Sequence, residues 1–187
     1  MRPKKNKKPL YWNKAVDYLS KSDPVLSKII GKFAAGNYLV CKKTIFETFF
    51  SIIIGQQISI EAANAIEQRI KQKATRITPK NILNLSDNKL RMLVLSYRKV
   101  IYIKGVARLI LENPKFFTTL CEMNDIDAVT SLSKLYGIGP WSAEMFLIFQ
   151  YNRQNILPLA DIGLINSFCN NYGVDKKEFL KRITEYK

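Results

Sequence analysis

The sequence predicts an all-α fold. Apolar residues recur at the three- and four-residue spacing of a helix face along nearly the whole chain. The segments are punctuated by Ser, Thr and Asp at N-cap positions and by Pro at first helical positions. Alternating strand patterns are scarce, and no repeat or low-complexity segment stands out beyond the basic N-terminus. At 187 residues, 47% of them hydrophobic, the chain can bury a core as one compact domain or as two lobes.

Each element has a local reason. Asp23-Pro24 reads as an N-cap followed by Pro at the first helical position. Thr44-Ile-Phe-Glu47 fits a capping box, in which the hydroxyl and the carboxylate each satisfy an orphan backbone N–H. The helix it opens runs to about Ile54 and is apolar on nearly every face, which predicts a central buried helix. Gly55-Gln-Gln-Ile58 interrupts it. Ser59 caps a second helix with Ala63, Ile66 and Ile70 on one face, and Lys71 and Lys73 suit the negative end of its dipole. Thr78-Pro79 opens a short helix, and Ser86 opens another with Leu90, Leu93 and Val94 inward. Ser96 opens a longer one with Val100, Ile103, Ala107 and Ile110 inward. Pro114 separates it from the next helical segment. Asp127 is predicted to open that helix, with Val129, Leu132, Leu135 and Tyr136 on one stripe. Gly137-Ile-Gly139 turns the chain, and Pro140 takes the first position of the following helix. Asn152 to Pro158 reads as loop. Asp161 opens a helix to about Asn170, and Asp175 opens one more to the end.

Composition narrows the chemistry. Thirty Lys and Arg stand against 15 Asp and Glu, a net charge of +15 that attracts polyanions, nucleic acid foremost. Ile, Asn and Lys are abundant throughout, so compositional bias is the alternative source of that charge. His is absent, which excludes imidazole as general base, zinc ligand or pH switch. Cys41, Cys121 and Cys169 are far apart and form no C-x-x-C pair, so neither a zinc site nor an iron–sulfur cluster is predicted. Such thiols fit a reducing compartment. Residues 1–10 are expected to form a basic, flexible arm, and no apolar signal region follows them. No apolar run reaches the roughly 18 residues of a bilayer span.

Four constellations carry chemistry, each with a bland reading beside the sharp one. Gly137-Ile-Gly139 offers consecutive N–H groups at a helix N-terminus, an anion site reinforced by the dipole, with Ile138 anchoring the turn. Tight helix corners also use glycine, and the net charge tips the choice towards phosphate. Asp161 before an apolar helical run is an ordinary N-cap. In a cleft beside an anchored phosphate it would also stabilise a sugar cation or activate water, and both roles can coexist. Gln56, Gln57 and Ile58 at the helix break either cap backbone groups or enter a duplex to fill the gap of a flipped base. Trp141, Met145, Phe146 and Phe149 read as core, with the alternative that Trp141 and Met145, one turn apart, stack on a flipped base.

These segments resemble the helix-hairpin-helix DNA glycosylase superfamily, in its 3-methyladenine DNA glycosylase II branch. The resemblance is carried by Ile53-Ile-Gly-Gln-Gln-Ile-Ser59 with Ala62-Ala-Asn-Ala65, and by Leu95-Ser-Tyr-Arg-Lys-Val-Ile-Tyr-Ile-Lys-Gly-Val-Ala107. It is carried further by Leu135 to Phe149, Leu157-Pro-Leu-Ala-Asp-Ile-Gly163, Trp12-Asn-Lys-Ala15 and Asp23-Pro-Val-Leu26. It covers residues 11–187 and implies two helical lobes with an active-site cleft between them. It implies Asp161 as the catalytic carboxylate and Gly137, Ile138 and Gly139 as the phosphate hairpin, with a monovalent cation bridging hairpin and phosphate as the only cofactor. Trp141 and Met145 are implied in the base pocket, and Gln56, Gln57 and Ile58 at the wedge.

Trp141 also stands where the superfamily's lyases carry a Schiff-base Lys, which favours water as the nucleophile. Met145 stands where some relatives have an aromatic residue. The chain is expected to lack the mixed α/β domain that precedes the catalytic lobes in some relatives, and the family's last helix, rich in Trp, Tyr and Arg. The implied activity is hydrolysis of the N-glycosidic bond of alkylated purines in duplex DNA, by a monomer with no membrane partner. The expected location is the bacterial cytoplasm beside the nucleoid, or the nucleus of a eukaryote. The alternatives are a non-catalytic DNA-binding module and a glycosylase of different base specificity.

Overall fold

The computed structural model describes residues 8–33, 38–74, 76–93 and 95–183. Twelve helices and no strand occur among them, and they fall into two compact units. One unit is Cys41–Ile156, and the other joins the described residues of Asn6–Val40 and Leu157–Lys187. The chain starts in the second unit with α1 (Trp12–Ser22) and α2 (Pro24–Lys32). It then builds the first unit from α3 (Ile45–Gly55), α4 (Ile60–Ala74), α5 (Pro79–Asn84), α6 (Asp87–Met92), α7 (Tyr97–Glu112), α8 (Lys115–Thr119), α9 (Asp125–Ser133) and α10 (Pro140–Tyr151). It closes the second unit with α11 (Ile162–Tyr172) and α12 (Lys176–Ile183).

The first unit is organised on α3. Its capping box is complete: Glu47 N–H donates to Thr44 Oγ1 at 3.2 Å, and Thr44 N–H to Glu47 Oε2 at 2.7 Å. Phe46, Phe49, Phe50, Ile53 and Ile54 are all buried, each burial contributing about 1.5–3 kcal/mol. Phe49 stacks on Phe146 of α10 with ring centroids 4.1 Å apart and meets the edge of Phe117 from α8 at 5.9 Å. Thr48 Oγ1 donates to Gln150 Oε1 at 2.6 Å, so the buried polar groups of α3 and α10 satisfy each other. α7 adds Val100, Ile103, Val106 and Ala107, and α4 adds Ile66 and Ile70. Ser96, Ser86, Thr78 and Ser59 cap the helices that follow them, as their positions predict.

The second unit has a smaller core of Ile165, Phe179 and Ile183, with Phe168, Leu157, Leu159 and Cys169 packed on it. Phe168 stacks on Tyr172 at 4.2 Å and meets Phe179 edge-on at 5.1 Å. Asp23 caps α2, accepting from Val25 and Leu26 N–H through Oδ1, while Tyr172 donates to its Oδ2 at 2.6 Å. That bond ties α11 to the start of α2. Asp175 caps α12 through the N–H of Glu178 at 2.8 Å.

The fold departs from the sequence reading in several places. α9 opens at Asn124, whose Oδ1 accepts from Asp127 N–H at 2.9 Å and whose Nδ2 donates to Asp127 Oδ2 at 2.7 Å. Asp127 is thus three positions inside the helix, and its carboxylate supports the cap instead of forming it. Tyr136 is 72% exposed, because the helix has already ended before it and the chain turns away from the buried stripe. α1 and α8 lack a start signal because Tyr11 and Pro114 make no side-chain cap bond. Residues 1–7 of the basic arm and Val94, which the sequence pattern puts inward, lie outside the described residues, as do residues 184–187, into which the sequence pattern extends the last helix. At the end of the arm, the Lys8 ammonium lies 5.8 Å from the centre of the Tyr38 ring.

Candidate functional site

The turn between α9 and α10 divides its work between two glycines. Gly137 has φ +84°, in the left-handed region, and a Cβ built there would lie 2.1–2.4 Å from ring carbons of Tyr102. Only glycine fits both the conformation and the space. Gly139 has an ordinary φ of −86°, is exposed, and meets nothing within 4 Å at its Cβ position. It is the N-cap of α10 and provides no side-chain cap, and Pro140 follows at the first helical position. The positive end of the α10 dipole, about half a unit charge, therefore opens on bare backbone. That arrangement suits an anion oxygen. Ile138, 2% exposed, pins the turn to the core, and its N–H donates to Leu135 O at 2.9 Å. Tyr102 from α7 packs its ring beneath Gly137 and meets Tyr136 edge-on at 5.1 Å.

The glutamines after α3 also divide. The Gln56 amide nitrogen donates to Gly137 O at 2.9 Å and to the buried Ser142 Oγ at 3.0 Å. This corrects the wedge reading for Gln56: its amide is turned inward and braces the hairpin. Gln57 is exposed and has φ +58°, a conformation that costs a residue with a Cβ about 1–2 kcal/mol. Ile58 beside it is 38% exposed. Lys99 from α7 donates to Ile54 O at 2.6 Å and Gln56 O at 2.9 Å, capping the end of α3, and burial pushes its ammonium pKa down.

On α10, Phe146 is wholly buried in the main core, as its apolar character predicts, whereas Phe149 is 48% exposed. Trp141 is half-buried and Met145 is 9% exposed, and neither belongs to a core cluster. Their four-residue separation sets them on one face. Glu144, adjacent to Met145, is half-buried, and desolvation raises its carboxyl pKa.

Asp161, in the second unit, is the half-buried N-cap of α11. Its Oδ1 accepts from Leu164 N–H at 2.7 Å. The capping reading of this residue therefore holds.

A family described as HhH-GPD superfamily base excision DNA repair protein matches residues 50–186, a span that contains the hairpin, the glutamine turn and Asp161. The chain belongs to the HhH-GPD superfamily. It is 31% identical over 190 residues to a DNA-3-methyladenine glycosylase of Saccharomyces cerevisiae, covering 92% of this chain and 63% of that protein. Its fold superposes on the Schizosaccharomyces pombe 3-methyladenine DNA glycosylase in complex with abasic DNA, with TM-score 0.76 and 25% identity. That match covers 90% of this chain and 86% of the other. A DNA-3-methyladenine glycosidase from Bacillus halodurans gives TM-score 0.69 at 29% identity, over 97% of this chain and 83% of that one. The chain spans 58–64% of the length of the curated relatives it matches.

Within this HhH-GPD chain, Lys99, Tyr102 and Glu144 escaped the sequence reading. Lys99 follows its cap Ser96 as any solvated first-turn lysine would, and its carbonyl partners lie 43 and 45 residues away. Tyr102 sits between the inward positions Val100 and Ile103, and only its fit against Gly137 marks it. Glu144 carried one local signal, a carboxylate inside an apolar run.

Proposed function

We propose that the chain is a monofunctional DNA glycosylase that hydrolyses the N-glycosidic bond of alkylated purines in duplex DNA. The observation that carries the reading is the hairpin: a left-handed Gly137 seated on Tyr102 and an open Gly139 at the start of α10, in a chain of net charge +15. Surface lysines and arginines find DNA by phosphate contact and counterion release. The hairpin grips a backbone phosphate. Leu135 O and Gly137 O each accept one hydrogen bond and keep a second lone pair, a donor set that suits a monovalent cation, which would neutralise phosphate charge there. Gln57, exposed at its turn, enters the stack as the target nucleotide leaves it, at a cost of a few kcal/mol.

An alkylated purine is already cationic, so its departure needs little general acid. The C1′–N bond breaks with its electron pair going to the base, which leaves neutral, and the sugar becomes an oxocarbenium ion. Asp161 is assigned the carboxylate that stabilises this ion, on the family resemblance. At about 4 Å and an effective dielectric near 20 the attraction is of order 4 kcal/mol, or about three decades in rate. Water then bonds to C1′ and releases a proton, leaving an abasic site. Trp141 offers an electron-rich face for the cationic base. Because Trp141 stands where a Schiff-base Lys would be, no imine forms and the strand is not cut.

Asp161→Asn is the test. Asn caps helices as well as Asp does, so α11 should be undisturbed. Release of 3-methyladenine and 7-methylguanine from methylated duplex DNA should fall about a thousandfold while duplex affinity holds. A variant that still excises at the parent rate would remove Asp161 from the chemistry. Duplex binding by the parent chain with no base release would instead favour a non-catalytic binding module.

A further inference from the structure

We infer that Lys99 is a positioning residue that locks the Gln57 turn and the phosphate hairpin into one register, a role that rests on the DNA-gripping reading above. The carbonyls that end α3 have no partner within the helix. Lys99 takes two of them, Ile54 O and Gln56 O. The second belongs to the peptide immediately before Gln57, so the ammonium fixes the plane from which Gln57 departs. Gln57 sits at φ +58°, a strain that persists only where its surroundings over-determine it.

From the other side, the Gln56 amide binds Gly137 O and Ser142 Oγ. One turn along α7 from Lys99, the Tyr102 ring fills the space beneath Gly137. A single face of α7 therefore seats both elements, and Gln56 bonds them to each other. A phosphate held by the hairpin fixes where Gln57 meets the duplex. Two of the three Lys99 donors are committed to carbonyls, so the residue acts through geometry and not as a phosphate counter-charge. Its half-buried position, which lowers its pKa by desolvation, fits that role.

The test is a double-mutant cycle between Lys99→Met and Gln57→Ala, read in single-turnover base release. It is also read in the fluorescence of 2-aminopurine placed beside an abasic analogue in a duplex. Each single variant is expected to slow release about tenfold and to lose most of the fluorescence change. The double variant should fall no more than about twofold further, because a displaced Gln57 has nothing left to lose. Lys99→Arg keeps charge and donors and should restore the coupling. The salt slope of undamaged-duplex binding should be the same in Lys99→Met as in the parent, whereas loss of a phosphate contact would reduce it by about one.

Exchange of the Gln56 and Ile58 amides, which donate to Ile53 O and Gly55 O, needs no DNA and should speed at least about tenfold in Lys99→Met. If Lys99→Met fails to fold, Gln56→Ala breaks the same chain of contacts from its other end and should show the same loss of coupling. Penalties that multiply to about a hundredfold, a salt slope that falls by one, or unchanged exchange would each overturn the proposal. A parent chain that shifts the 2-aminopurine signal without releasing base would sink the excision reading alone, and the signal would still decide the role of Lys99.

Discussion

Substituting the two hairpin glycines separately should give opposite phenotypes. In Gly137→Ala the new methyl meets two independent penalties. The left-handed φ of +84° costs a residue with a Cβ about 1–2 kcal/mol. The methyl would also stand 2.1 Å from Tyr102 Cγ, well inside van der Waals contact, and overpacking of that kind costs about 1–3 kcal/mol. The total, about 2–5 kcal/mol, corresponds to a melting-point loss of about 4–20 °C for a chain of this length. At Gly139 the φ is ordinary and the space empty, so alanine costs only the N-cap preference, about 0.5–1 kcal/mol. Its methyl, however, covers the bare start of α10 and should weaken duplex binding about tenfold by displacing one charge-assisted hydrogen bond.

Thermal unfolding and duplex affinity, measured on both variants, separate the two effects. Truncating the ring supplies an internal check. Gly137→Ala combined with Tyr102→Ala should be more stable than the sum of the singles by about 1–3 kcal/mol, since the clash is gone and the strain remains. A Gly137→Ala protein that melts within about 2 °C of its parent would refute the seating of that glycine on the Tyr102 ring. So would a Gly139→Ala protein that loses as much stability as Gly137→Ala.

Two further predictions concern the helices that carry the hairpin. The Arg153 guanidinium donates to Asp125 Oδ1 at 2.9 Å, Leu120 O at 2.9 Å and Met123 O at 2.8 Å. Arg153→Met should therefore cost about 2–4 kcal/mol by calorimetry, with the turn between α8 and α9 exchanging its amides first. Burial raises the Glu144 carboxyl above its ordinary 4.5, so the folded chain holds a proton that the unfolded chain releases. The stability from this group is complete below pH 4.5 and is lost as pH rises through the raised value. Glu144→Gln should flatten the stability profile in that window. Partial exposure keeps the effect small, and an unchanged profile in denaturant titrations would count against a desolvated carboxyl.

What the sequence made legible was local. The Thr44–Glu47 box and the serine caps announce a helix start because the bond that makes it lies within four residues, and Pro140 announces one because its ring fixes a helical φ. The centrality of α3 was legible too, since a helix apolar on nearly every face has nowhere to go but inside. Contact across the chain was not legible. Even locally, the backbone geometry that makes Asn124 the cap and Asp127 its support is invisible in the letters. Tyr136 continues an apolar stripe in sequence but stands beyond the last turn of α9, out in solvent.

The same limit applies within each motif, where neighbouring residues take opposite roles. Gly137 and Gly139 are identical in sequence, yet one is held by a ring 35 positions away and the other faces open space. Gln56 and Gln57 are identical and adjacent, yet one bonds a carbonyl 81 residues distant and the other is turned outward by a strained backbone. In each pair the inward member holds the outward one in place, so a single-substitution scan that reads activity alone would mark both as essential. Stability and DNA affinity are expected to fall separately in the two members, because under the proposed DNA-gripping role a contact surface of bare backbone and one exposed amide is held rigid by its inward neighbours.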